Sequence, residues 1–178
     1  MRTATLFKKV ELVTTPINEA IKPMLWLMGT WKAVKADGFY PTMKPFKYGE
    51  RMKFVSIGQP NMFYSSITWK LKEKTPWHLE CGYLRIKPKT CEVNFLVTQN
   101  FGLSSVDCGT VEEGSMTVSS DEDMISRITF ASKPFVKKMM RCYRLNDKGE
   151  LEYTMFMETT ATPMTQHLDV LFKKEETC

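Results

Sequence analysis

Glu92-Val93-Asn94-Phe95-Leu96-Val97-Thr98-Gln99 is the stretch from which the fold is read. Val93, Phe95, Val97 and Gln99 fall on one face of an extended chain, because successive side chains of a strand point to opposite sides. Leu151, Tyr153, Met155 and Met157 repeat the pattern on a second strand. Around these, segments rich in aromatic and β-branched residues recur at Arg51–Ile57, Met62–Leu71, Leu79–Ile86, Leu103–Val111 and Met116–Ser119. They continue at Ile125–Ala131, Val136–Leu145, Leu151–Thr160 and Leu168–Lys173. Turn-forming clusters punctuate them, among them Gly58-Gln59-Pro60, Lys87-Pro88-Lys89, Glu112-Glu113-Gly114 and Asn146-Asp147-Lys148-Gly149. Short strands at even spacing joined by tight turns predict an all-β protein, an antiparallel up-and-down β-barrel of about ten strands or a sandwich.

Upstream, Pro16 to Met28 carries Ile17, Ile21, Met24, Leu25 and Met28 near helical spacing, and Pro23 limits it to one or two short turns. The expected organisation is a flexible tail over residues 1–15, one barrel domain over 16–174 and a second tail over 175–178. The 178 residues suffice for one domain with a sizeable core. No apolar run is long enough for a membrane span, and the basic start, Met1 to Lys9, lacks the apolar core of a signal peptide. A cytoplasmic protein with no membrane partner is therefore expected.

The net charge of +5 comes from lysines scattered among acids and apolar residues, so no nucleic-acid partner is expected. The cysteine count is five, odd and without C-x-x-C spacing, which reads as free thiols rather than disulfides or a zinc site. The thirteen methionines, together with Phe95 and its neighbours, favour an adaptable apolar interior that would suit a flat apolar ligand.

Four stretches, in order, resemble the nitrobindin family of small haem-binding β-barrels. They are Gly29-Thr30-Trp31 followed by Tyr40-Pro41-Thr42; Trp77-His78-Leu79-Glu80-Cys81-Gly82-Tyr83; Gln99-Asn100-Phe101-Gly102; and Met157-Glu158-Thr159-Thr160 running into His167-Leu168. One stretch departs from the family: Lys32 to Phe39, read as a rim loop, holds a single glycine where relatives carry several. The resemblance implies a ferric haem b without covalent links, bound through His167 as metal ligand, in a protein that is readily purified without it. Thr42, Trp77, His78, Gln99 and Met157 would border it. It further implies an open axial position that binds nitric oxide and converts peroxynitrite to nitrate, making the protein a haem-dependent peroxynitrite isomerase. The oligomeric state is not implied.

The residues themselves leave alternatives open. A single histidine at a strand start also reads as an ordinary hydrogen-bonded side chain, and His78, two residues from Glu80 on one strand face, as a satisfied strand histidine held by that acid. Strict alternation from His167 would put Asp169 and Lys173 on its face, while Leu168, Val170 and Phe172 form the apolar one. His167 is therefore expected at the rim or on a bulge. No nucleophile, oxyanion hole or carboxylate pair is recognisable. The rival function is a non-catalytic carrier of a fatty acid, with Arg141 and Tyr143 holding its carboxylate; otherwise Arg141 reads as a surface residue.

Overall fold

The computed structural model describes residues 16–175. The expected tail at 1–15, and residues 176–178 of the tail expected over 175–178, lie outside them. Eleven strands follow a 3₁₀ segment at Glu19–Leu27: β1 (Gly29–Gly38), β2 (Phe46–Ser56), β3 (Asn61–Lys70), β4 (Pro76–Ile86), β5 (Glu92–Gln99) and β6 (Leu103–Glu112). Then come β7 (Ser115–Ser120), β8 (Ile125–Arg127), β9 (Val136–Leu145), β10 (Leu151–Thr159) and β11 (Thr165–Lys174). All pairs are antiparallel. The sheet closes on itself through the pairing of β5 with β6, giving a ten-stranded barrel to whose β6 the three-residue β8 is appended. The expected architecture is the observed one, and closure leaves the ten main strands without a free sheet edge.

Alternation sorts the side chains as read from the sequence. Val93, Phe95 and Val97 are buried, as are Leu151, Tyr153, Met155 and Met157. With Trp31, Phe54, Tyr64 and Phe172, the residues Val93, Phe95 and Leu151 fill the interior near one end. That end is closed by the 3₁₀ segment, whose Ile21, Met24 and Leu27 are fully buried. Three residues per turn stack these side chains on one face, so the period here is three rather than 3.6. Asn18 caps it by accepting from the Ala20 amide at 3.0 Å, and Trp31 Nε1 donates to Leu27 O at 2.7 Å, tying plug to barrel.

Three expectations are corrected. Lys32–Phe39 is not a rim loop: its residues to Gly38 belong to β1, which pairs with β2 and β11 and carries an irregularity between Ala33 and Lys35. The strand expected over Ile125–Ala131 stops at Arg127, and the chain then crosses the barrel mouth as a loop to Phe135. Glu175, assigned to the tail, is pinned by a 2.8 Å bond from its amide to Thr30 O and by Arg51 Nε at 2.7 Å from its carboxylate. Cys81, Cys91, Cys108 and Cys142 are free thiols. No helix among the described residues is long and apolar enough to cross a membrane.

Candidate functional site

The barrel is hollow toward the end opposite the plug. A cavity of about 610 Å³ opens between the loops at 39–45, 100–102 and 128–135. That volume lies within the usual range for small-molecule sites of about 300–1,000 Å³. Its upper wall is apolar, built from Phe46, Trp77, Phe101, Leu103, Met139, Met155, Met157 and Leu168. Its floor is polar: Tyr48, Glu50, Ser66, Thr68, Glu80, Arg141 and Tyr153. Thr42, Trp77, His78, Gln99 and Met157 all line it, brought together from the β1–β2 loop and strands β4, β5 and β10.

His167 is placed differently. In the β10–β11 ladder Met155 faces Leu168 and Phe156 faces Gln166, so His167 is skipped. This bulge turns both His167 and Leu168 inward, resolving the conflict with strict alternation. His167 is 1% exposed. Its Nδ1 lies 2.9 Å from Thr165 O. A carbonyl only accepts, so this bond is made by a protonated Nδ1, which leaves Nε2 as the ring nitrogen open to another partner, the arrangement a metal-ligating histidine needs. Leu168 reaches the cavity lining, and so does Tyr40, whose ring meets His167 edge-on at 4.7 Å between centroids; His167 packs behind them. Burial, then Glu80, pushes the Tyr40 phenol up to about 12, so it stays neutral.

His78 stacks on Phe101 with ring centroids 5.0 Å apart and planes 10° from parallel. Its Nε2 is buried and finds no protein partner. Burial lowers its pKa, with Arg141 adding and Glu80 opposing, so the ring is a neutral imidazole near pH 7. Glu80 does not hold it. The Glu80 carboxylate receives Arg141 Nη1 and Nη2 at 3.0 and 3.1 Å and the Tyr64 hydroxyl at 2.6 Å. Burial alone would raise the Glu80 pKa; Arg141, His78 and Tyr64 outweigh it and hold the carboxyl below its ordinary value.

Arg141 is neither a surface residue nor a free carboxylate clamp. It is 1% exposed, and beyond Glu80 its Nε donates to Asp107 at 3.0 Å and its Nη1 to the Tyr153 hydroxyl at 3.1 Å. Glu50, 4% exposed, accepts from Ser66 at 2.6 Å through one oxygen while the other has no protein partner. Burial pushes its carboxyl up to about 7. The barrel thus gathers three buried carboxyl groups, two of them, Glu80 and Asp107, bound to one guanidinium, a cluster not recognised from the sequence. One signal was present: Glu50 sits on the inward face of β2 with Tyr48, Met52 and Phe54, a lone acid in an apolar row.

The residues suit a haem. A single imidazole whose Nδ1 is committed to a backbone carbonyl lies beside a cavity walled by flat and thioether side chains, with a second imidazole, His78, on the lining and its Nε2 without a protein partner. His167 and Leu168 would hold it on one side, and Met157, Trp77 and His78 would border it.

Comparison with known proteins agrees. The family described as THAP4-like, heme-binding beta-barrel domain matches residues 20–174. The chain is 40% identical over 159 residues to a human protein named peroxynitrite isomerase THAP4, covering 89% of this chain but only 27% of that protein. It thus spans about a quarter of the length of such mammalian relatives. A relative from Arabidopsis thaliana, named peroxynitrite isomerase Rv2717c, is 34% identical, with 89% of this chain and 91% of the relative covered. The crystal structure of Rv2717c from M. tuberculosis superposes with a TM-score of 0.79 at 26% identity, covering 90% of this chain and all of that one. The chain is a member of the THAP4-like haem-binding β-barrel family, also known as the nitrobindins.

Proposed function

We propose that this barrel is a haem protein that converts peroxynitrite to nitrate and also binds nitric oxide, and that His167 would hold the iron of a ferric haem b at its mouth. The observation that carries the reading is the His167 bulge: an imidazole turned inward beside the cavity, its Nδ1 proton committed to Thr165 O. When bound, a haem with one imidazole ligand supplies Lewis-acid and one-electron chemistry at iron. The chain's own residues do the rest. Thr165 O would keep the His167 tautomer, and Nε2 would reach the cavity only with the Tyr40 ring, which meets the imidazole edge-on at 4.7 Å between centroids, turned aside. Phe46, Trp77, Met155 and Met157 exclude water from the mouth. His78, neutral and unpartnered at Nε2, offers a hydrogen-bonding atom to a small polar ligand. Peroxynitrite and nitrate have the same atoms and charge, so the conversion needs no net proton or electron from the chain.

The fatty-acid reading loses its support, because the Arg141 guanidinium is already bound to Glu80 and Asp107. A further carboxylate there would add negative charge to a site rich in it.

The test is a hemin titration followed by absorbance. A Soret band is expected to saturate at one haem per chain and to be lost in His167→Ala. Stopped-flow decay of peroxynitrite should then accelerate with haem-loaded protein and yield nitrate. An unchanged spectrum in His167→Ala would remove that residue as the ligand.

A further inference from the structure

The two ends of the barrel differ in the side chains their loops expose, of which Met43 and Phe101 also border the cavity while Leu71, Phe130 and Met164 do not. Each of the five loops at the mouth carries at least one large apolar side chain in solvent: Met43 is 51% exposed, Leu71 49%, Phe101 58%, Phe130 82% and Met164 39%, with Phe39 and Ile128 beside them. The same loops, at 39–45, 71–75, 100–102, 128–135 and 160–164, hold Lys44, Lys72, Lys74 and Lys133 against one acid, Glu73. None of these lysines pairs with a carboxylate among the described residues. The loops at the plugged end, at 57–60, 87–91, 113–114 and 146–150, bear no exposed large apolar side chain, Ile17 before the plug being 43% exposed there, and their Lys87, Lys89 and Lys148 are matched by Glu113, Asp147 and Glu150.

The acidic run Asp121-Glu122-Asp123 does not cancel the charge of the mouth. It lies on the outer wall below the rim, since the next residue, Met124, touches Cys108 in mid-β6 with sulfurs 3.9 Å apart, and Asp121 is paired with Lys138 at 2.9 Å. Apolar tips set among unpaired lysines are the composition that enters the interface of an anionic bilayer: the apolar groups sink to the acyl boundary and the ammonium groups stay with the headgroups. A patch built for a protein partner would be expected to deplete lysine instead.

We infer that the mouth of the barrel docks on the surface of an anionic membrane, with Phe130 as the deepest-reaching side chain and Lys44, Lys72 and Lys133 on the headgroups. The cavity then faces the bilayer, the phase into which flat apolar molecules partition. The inference stands on the rim alone and does not depend on what the cavity holds.

The test uses the full chain without hemin and sedimentation with phosphatidylcholine vesicles, pure or containing a quarter phosphatidylserine. Binding to the mixed vesicles should exceed binding to the neutral ones at least about tenfold and fade with salt. Phe130→Asp, and separately the triple change Lys44→Gln, Lys72→Gln and Lys133→Gln, should each weaken it about tenfold. Lys89→Gln with Lys148→Gln, at the plugged end, should leave it unchanged. Circular dichroism of each variant checks the fold, and Phe130 is exposed enough that its replacement should not disturb packing. Absence of vesicle binding overturns the inference, as does binding that ignores lipid charge or survives the rim substitutions. A dimer in solution that Phe130→Asp dissociates, with no vesicle binding, would assign the rim to a second copy instead.

Discussion

Glu50 places a carboxyl in the barrel floor with one oxygen on Ser66 and none on a positive partner. Its pKa rises from the ordinary 4.5 to about 7 because burial penalises the charge. The folded protein therefore holds this proton where the unfolded chain has released it. The associated stability is complete below pH 4.5 and is lost as pH rises through 7, by on the order of 1–3 kcal/mol. Glu50→Gln keeps the shape and removes the charge. Its stability relative to the native chain should grow between pH 5 and 8 in urea titrations, and a constant difference would show that Glu50 does not titrate. Glu80 has the opposite sign, because its lowered pKa costs stability as pH falls, so the difference between the two proteins is the quantity to follow. Arg141→Met should cost about 3–5 kcal/mol by stranding Glu80 and Asp107 without a counter-charge, and Glu80→Gln in that background should recover part of it. This cluster was not legible in the sequence, since Arg141 meets Asp107 and Glu80 across 34 and 61 residues of chain. The inward turn of His167 was legible as a conflict in alternation, but its acceptor, a backbone carbonyl two residues away, was not.

At the scale of elements, strands announced themselves wherever one face is buried and the other wet. β5 and β10 follow their apolar alternation through their length. β1 hid because an irregularity at Ala33–Lys35 breaks its period and its burial pattern with it. The start of β2 hid for another reason: Gly49 is glycine because the Trp69 ring lies where a Cβ would stand, which reads locally as a break in a strand. The segment before β1 was legible as short helical turns around Pro23, while its three-residue period emerges only from which side chains are covered. Met24→Ala should leave a hole among the plug residues and cost about 2–4 kcal/mol in urea or thermal unfolding. The hemin absorbance of the folded variant should be unchanged, because the plug lies at the far end from the cavity. A lost Soret band in folded Met24→Ala would mean that plug and mouth are coupled.

The whole molecule divides into a packed half and a hollow half within one closed sheet. Closure gives every main strand two neighbours, so the hollow half is held by backbone hydrogen bonds rather than by a filled interior. That is why a cavity of about 610 Å³ is tolerated in a barrel of this size. It also confines the parts free to respond to a ligand to the loops, which lack ladder partners. Amide exchange measured with and without hemin should separate the halves. Protection is expected to rise at 39–45 and 128–135, where Tyr40 and Phe135 line the cavity, and to stay level at 87–91 and 146–150. Equal protection at both ends would mean that hemin stabilises the fold globally, as any ligand specific for the native state does when whole-molecule opening governs exchange. A rise confined to the mouth would instead mean that the loops open by themselves in a barrel that stays shut.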